Sequence, residues 1–146
     1  MQQATLLAVL LLATGTFCVP VKKPDTTDNF VFEGKIHCGS GKAWCWDVEA
    51  MESERGNGEH DESLGVTKNC LKEADDYYLL NVSEIGGDGA GDWYYEFGLR
   101  VEHNCTQTGK YEMVNFRNEW TGIPIGQTKT VHFKKNLSFG SSSTSN

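Results

Sequence analysis

The chain is predicted to be an all-β sandwich of about seven or eight short strands, and three observations carry that prediction. Apolar residues recur at every second position through most of the sequence. No long segment repeats them at helical spacing. Turn-forming clusters of Gly, Asn, Asp and Ser separate the alternating runs at short intervals, the pattern of a sandwich.

The elements follow in order. Phe30, Phe32, Ile36 and Cys38 share one face of a first strand with Gly34 in phase, and Val31, Glu33, Lys35 and His37 take the other. Gly39-Ser40-Gly41 is a tight turn. The second strand turns Trp44, Trp46, Val48 and Ala50 one way and Cys45, Asp47 and Glu49 the other. Glu52 to Glu62 is an acidic loop broken by Gly56, Asn57 and Gly58. A short strand with Leu64 and Val66 leads into a polar turn through Asn69 and Cys70, and Tyr77 to Val82 is the next strand. Gly86 to Asp92 is a glycine-rich loop. The clearest alternation comes next: Trp93, Tyr95, Phe97, Leu99, Val101, His103 and Cys105 on one face, with Tyr94, Glu96, Arg100 and Glu102 on the other. Tyr111 to Arg117 forms a strand with Val114 and Phe116 inward. After the break at Pro124 and Gly126, Val131, Phe133, Leu137 and Phe139 keep phase.

A chain of 146 residues suits one domain. Thirteen Lys and Arg stand against 20 Asp and Glu, a net charge of −7. With no basic stripe to neutralise phosphates, no nucleic-acid partner is expected. Residues 1–18 read as a signal peptide: Thr5 to Ala13 is a short apolar core, and the small residues Thr14, Gly15 and Thr16 follow it. The run is too short to span a bilayer, so no transmembrane anchor is expected. An N-terminal buried helix is the competing reading. The domain is expected over 29–140, with a disordered Ser-rich tail at 141–146.

Removal of the leader leaves Cys38, Cys45, Cys70 and Cys105, with the fate of Cys18 open. Four Cys in a small secreted domain predict two disulfides, with three possible connectivities. Strand parity favours Cys38–Cys105, both on core-facing positions, and Cys45–Cys70, since Cys45 faces away from Trp44 and Trp46. Three sequons, at Asn81, Asn104 and Asn136, fit the same secreted, extracellular destination.

Two motifs resemble the nematode transthyretin-like family. Gly34-Lys35-Ile36-His37-Cys38 followed by Gly41-Lys42 resembles its opening strand and turn, and Leu99 to Cys105 resembles its signature strand ending in His-x-Cys. The resemblance extends over residues 30–140. Ala74 to Leu79 stands where the family carries an Asp-x-x-Gly-x-Phe turn, and Gly109-Lys110-Tyr111 where a further Cys is common. The resemblance implies a secreted transthyretin-like antiparallel β-sandwich, stapled by disulfides. It also implies a non-enzymatic role in extracellular binding, signalling or bridging, with a protein, lipid or small hydrophobic ligand as partner.

Other chemistries find little footing. A hydrolase related to the purine-pathway hydroxyisourate hydrolases is the enzymatic alternative, yet the chain ends without that family's Tyr-Arg-Gly-Ser tetrapeptide. His37, His103 and His132 are scattered, so no catalytic residue is assigned. No metal site and no cofactor are expected: disulfides consume the Cys, and neither the Gly86–Asp92 loop nor the acidic loop has fixed calcium-ligand spacing. A structural extracellular-matrix role is a further alternative. The candidate binding residues are aromatic: Trp93 and Tyr94 beside the glycine-rich loop, Trp120, and one of Tyr77 and Tyr78. Lys129, Lys134 and Lys135 form a basic cluster near the C-terminus, segregated along the chain from the acidic stretch between Asp47 and Glu62.

Overall fold

A computed structural model describes residues 27–53, 61–85, 94–126 and 129–140. The expected signal peptide, most of the acidic loop, the glycine-rich loop with Trp93, and the tail lie outside the described residues. The strands are β1 (Thr27–Cys38), β2 (Trp44–Ser53), β3 (Asp61–Leu71), β4 (Asp75–Ile85), β5 (Tyr94–His103), β6 (Glu112–Pro124), β7 (Val131–Lys134) and β8 (Leu137–Phe139). They form two sheets. In the first, β1 lies between β4 and the collinear pair β7 and β8; the second runs β3-β2-β5-β6. Neighbours are antiparallel except that β7 and β8 run parallel to β1. With β1 and β2 in different sheets, the order is not that of an immunoglobulin domain, where the first two strands share one.

The core is the set of inward positions. Phe30 and Phe32 from β1 meet Phe97 from β5 at ring-centroid distances of 4.6 and 5.4 Å, and Phe133 from β7 packs 5.0 Å from Phe32. Trp44, Trp46, Val48 and Ala50 are buried along β2. The two indoles also close one end of the sandwich. Trp44 Nε1 donates to the Glu73 carbonyl at 2.8 Å, and Trp46 Nε1 to Asp76 Oδ2 at 3.1 Å. Each buried N–H thereby keeps a partner, as its desolvation requires. Asp28 is buried at the start of β1, where Oδ2 accepts from the Tyr95 hydroxyl at 2.9 Å and the Gly126 N–H at 2.7 Å.

Two strands differ from the sequence expectation. β3 runs to Leu71, so Cys70 sits on a strand directly opposite Cys45 and not in a turn. A register shift opposite Ala50 and Met51 leaves Leu64 of β3 without a partner in β2. That extra residue breaks the alternation: Leu64 packs on the core while Val66, two positions on, is outward and 53% exposed. β6 likewise continues well past Arg117, through two register shifts against β5. Asn118 adopts φ 51° within them, a left-handed conformation that Asn tolerates. Trp120 therefore returns to the core side, with its ring 5.6 Å from Phe32 and 5.0 Å from Phe133. The expectation of an exposed Trp120 is corrected accordingly: it is a half-buried packing residue.

The link between β7 and β8 explains Gly34. Lys135 N–H donates to the Glu33 carbonyl at 3.1 Å, and the Asn136 side chain accepts the Lys35 N–H at 2.9 Å, replacing a ladder carbonyl. A Cβ on Gly34 would lie 1.9 Å from the Lys135 carbonyl oxygen, which also accepts from the Tyr78 hydroxyl at 2.7 Å. Gly34→Ala should therefore destabilise the domain by about 2–3 kcal/mol in urea unfolding, an overpacking cost against rigid backbone. Gly65→Ala, whose Cβ would only touch Leu80 at 3.7 Å and Val82 at 4.0 Å, should change stability by less than about 1 kcal/mol.

Candidate functional site

Each expected site residue has a definite place except Trp93, which lies outside the described residues. Cys38 bonds Cys105 across the two sheets, and Cys45 bonds Cys70 on the outer face of the second sheet. Asn81 is exposed on β4. Asn136 is exposed but its Oδ1 is the ladder substitute already described, and half-buried Asn104 accepts the Cys45 N–H at 2.6 Å. Tyr94 begins β5 at 45% exposure, paired with Pro124. It faces away from the core that holds Trp120, so these two aromatics do not form one patch. Tyr77 is exposed and Tyr78 fully buried; burial pushes the Tyr78 phenol up to about 12.

The expected basic cluster is largely neutralised. Lys134 Nζ lies 3.3 Å from Glu33 Oε1, and Lys135 Nζ lies 2.5 Å from Glu119 Oε1 and 4.4 Å over the Phe116 ring. The Lys134 hydrogen bond is the main reason that the Glu33 carboxyl is held below its ordinary range, with His132 helping.

An outward surface of which the sequence reading names only Tyr77, as an alternative to Tyr78, lies on the first sheet. β4 is an edge strand, and alternate residues Tyr77 and Leu79 stand 73% and 55% exposed on it. Beside them an open cleft of about 410 Å³ is lined by Glu33, Lys35, Lys134 and Asn136. Periodicity could have found these two side chains, since the buried set of β4 is Tyr78, Leu80 and Val82.

Next to the cleft, Asp75 accepts from His37 Nδ1 at 2.7 Å and pairs with Lys35 Nζ at 3.0 Å. These contacts, the histidine's first, hold its carboxyl below the usual range. Register places Ser138 on the other side of His37, so one row reads Asp75, His37, Ser138. Only the first contact of that row is made; no hydrogen bond joins His37 to Ser138, and the row is not a charge-relay arrangement. Among the described residues, no three His, Cys, Asp or Glu side chains gather in a way that could hold a metal ion.

His103 is inside. It is buried, its ring stacks 3.8 Å from Phe139, and its Nδ1 has no hydrogen-bond partner. Burial lowers its pKa, against the opposing field of Glu112 across the β5–β6 ladder. The unfolded chain therefore binds the proton that the native state refuses, and stability falls as pH drops below the ordinary histidine value near 6.5. Thermal melts from pH 7 to pH 5 should show that fall, and His103→Phe, which keeps the stack, should flatten it; an unchanged slope would place the titration elsewhere.

Comparison with known proteins adds a family. No curated protein and no solved structure matches the chain. A family model does match, over residues 33–143, from the middle of β1 to beyond β8. The matched span takes in both disulfides and seven complete strands. By that match, the chain belongs to the family described as Caenorhabditis elegans protein of unknown function (DUF870).

Proposed function

We propose that the chain is a secreted, non-enzymatic, transthyretin-like module that binds a protein, lipid or small hydrophobic ligand outside the cell. The observation that carries the binding reading is the Tyr77 and Leu79 pair. Large apolar side chains at 73% and 55% exposure on an edge strand, next to an open cleft, are what a partner would cover. Two disulfides in a small β domain support residence in an oxidising compartment.

The transthyretin-like part of the reading has its own support. Its two motif-bearing segments, Gly34 to Cys38 on β1 and Leu99 to Cys105 on and beyond β5, are joined by the Cys38–Cys105 bridge. Among the described residues, eight strands in two sheets agree with the architecture that the resemblance implies.

The test is expression in a eukaryotic secretory host followed by native mass spectrometry, before and after enzymatic removal of glycans. Glycans are proposed at the exposed Asn81 and Asn136, which border the cleft face, before half-buried Asn104. The expected product is released to the medium, with its leader cleaved and its mass reduced by the hydrogens of two disulfides. A bound small molecule would appear as extra mass that survives deglycosylation and vanishes on denaturation. A protein partner captured from extracellular fluid would be lost with Tyr77→Ser and Leu79→Ser while the fold persists. Retention of the chain inside the cell, or turnover of a hydroxyisourate-type substrate by the purified protein, would overturn the reading.

A further inference from the structure

The outer face of the second sheet treats its carboxylates unequally. Toward one end, two acids have guanidinium partners: Arg100 pairs with Glu49, and Arg117 Nη2 lies 2.8 Å from Asp61 Oδ2. Toward the other end, Asp47 and Glu102 stand directly opposite one another across the β2–β5 ladder. Neither makes an ion pair among the described residues, and Lys68, the partner of Asp47 on β3, makes none either. Like charges opposed on one sheet face repel. The arginines of this face are engaged elsewhere, and Lys68, which lines one cleft with both carboxylates, bonds neither. Glu102 has Asp47 and Met113 as its cross-strand neighbours, neither of them a cation, which leaves a place for one supplied by a partner.

The surroundings of the pair are open and include exposed apolar side chains. Val66, Tyr111 and Met113 are 53%, 57% and 57% exposed, and the Cys45–Cys70 bridge lies between Asp47 and the end of the strand. Two shallow clefts, about 480 and 430 Å³, share Asp47 and Glu102 in their linings; Tyr111 and Lys68 line the first, and Met113, Val66 and the Glu49-paired Arg100 the second.

We infer that this end of the second sheet is a docking surface for a basic segment of a partner protein. One arginine or lysine of that segment sits between Asp47 and Glu102, and its apolar neighbours rest on Tyr111 and Met113. Charge complementarity selects this occupant. A second copy of a chain with net charge −7 would bring more acid to the face, and an anionic lipid surface would be repelled by the same two carboxylates. A guanidinium suits the place best, because its planar fork can serve two carboxylates at once. The inference rests on the reading of the chain as an extracellular binding module and gives that module a partner class.

The experiment uses the full, disulfide-bonded chain, isotopically labelled, titrated with an eight-residue peptide alternating arginine and leucine. The same peptide with glutamate for arginine is the control. Amide shifts should concentrate on β2, β5 and β6 around Asp47, Glu102 and Met113. Affinity should fall at least about tenfold in D47N/E102Q and again with rising salt, while thermal melting shows that this variant stays folded. Tyr111→Ser should weaken binding several-fold, which a purely diffuse attraction of opposite charges would not do. Shifts spread evenly over all acidic surfaces, equal affinity of D47N/E102Q, or preference of this face for phosphatidylserine vesicles over the peptide would overturn the inference. An unsecreted chain that still binds the arginine peptide here would end the extracellular reading and leave the surface standing. A secreted chain whose face ignores the peptide would do the reverse.

Discussion

The first sheet depends on what β1 can accept on both of its edges. β4 and the β7–β8 line share no ladder with each other; each is hydrogen-bonded to β1. The same strand sends Phe30 and Phe32 into the core and ends in Cys38, which is covalently tied to the segment after β5. Burying a phenylalanine side chain contributes roughly 2–3 kcal/mol, so the two rings help to hold the strand that carries the hydrogen bonds. Gly34 is the permissive point in this arrangement. Its missing side chain leaves room for the Lys135 carbonyl, and the parallel line of β7 and β8 can pass without moving away from β1.

The parts of the fold that were legible in the sequence are those where backbone pairing is regular. Along β1, β2 and β5, strict alternation identifies the buried set, and the same parity argument shows why Cys38 can reach Cys105 across the core while Cys45 must look to the opposite face. Legibility ends at bulges. One additional residue at Leu64 and the shifts around Asn118 each change which side chains face inward without leaving a periodic trace. Trp120 is the clearest case: beyond what looks like the end of a strand, it reads as a surface aromatic, yet the irregular backbone carries it back onto Phe32 and Phe133.

Charge was still harder to read, because the partner of a charged side chain depends on register. Lys134 and Lys135 look like a free basic cluster in the sequence, but Lys134 reaches Glu33 on the adjacent strand and Lys135 reaches Glu119 on the other sheet. Asp75 acquires His37 and Lys35 through the β1–β4 ladder. In each case the interacting residues are far apart in the chain and ordinary in local composition. The outward faces thus become specific only after the strands are aligned.

That alignment leaves the two faces in different conditions. On the first sheet, the described carboxylates Glu33 and Asp75 both have cationic neighbours, and what is left for a partner is apolar. On the second, Asp47 and Glu102 are set against each other, and Lys68, across from Asp47, makes no ion pair with either. A domain can carry such a pair because the repulsion is small beside what holds the strands. Opposed like charges on a sheet cost of order 0.2–1 kcal/mol. Bridges across sequence separations of 67 and 25 residues contribute about 4 and about 3.5 kcal/mol in the chain-entropy view. The Cys45–Cys70 bridge is also close to the pair on the same face, fixing β2 to β3 where the clefts open. The staple therefore fixes Asp47's strand to β3, while the β2–β5 ladder holds Asp47 and Glu102 opposite one another.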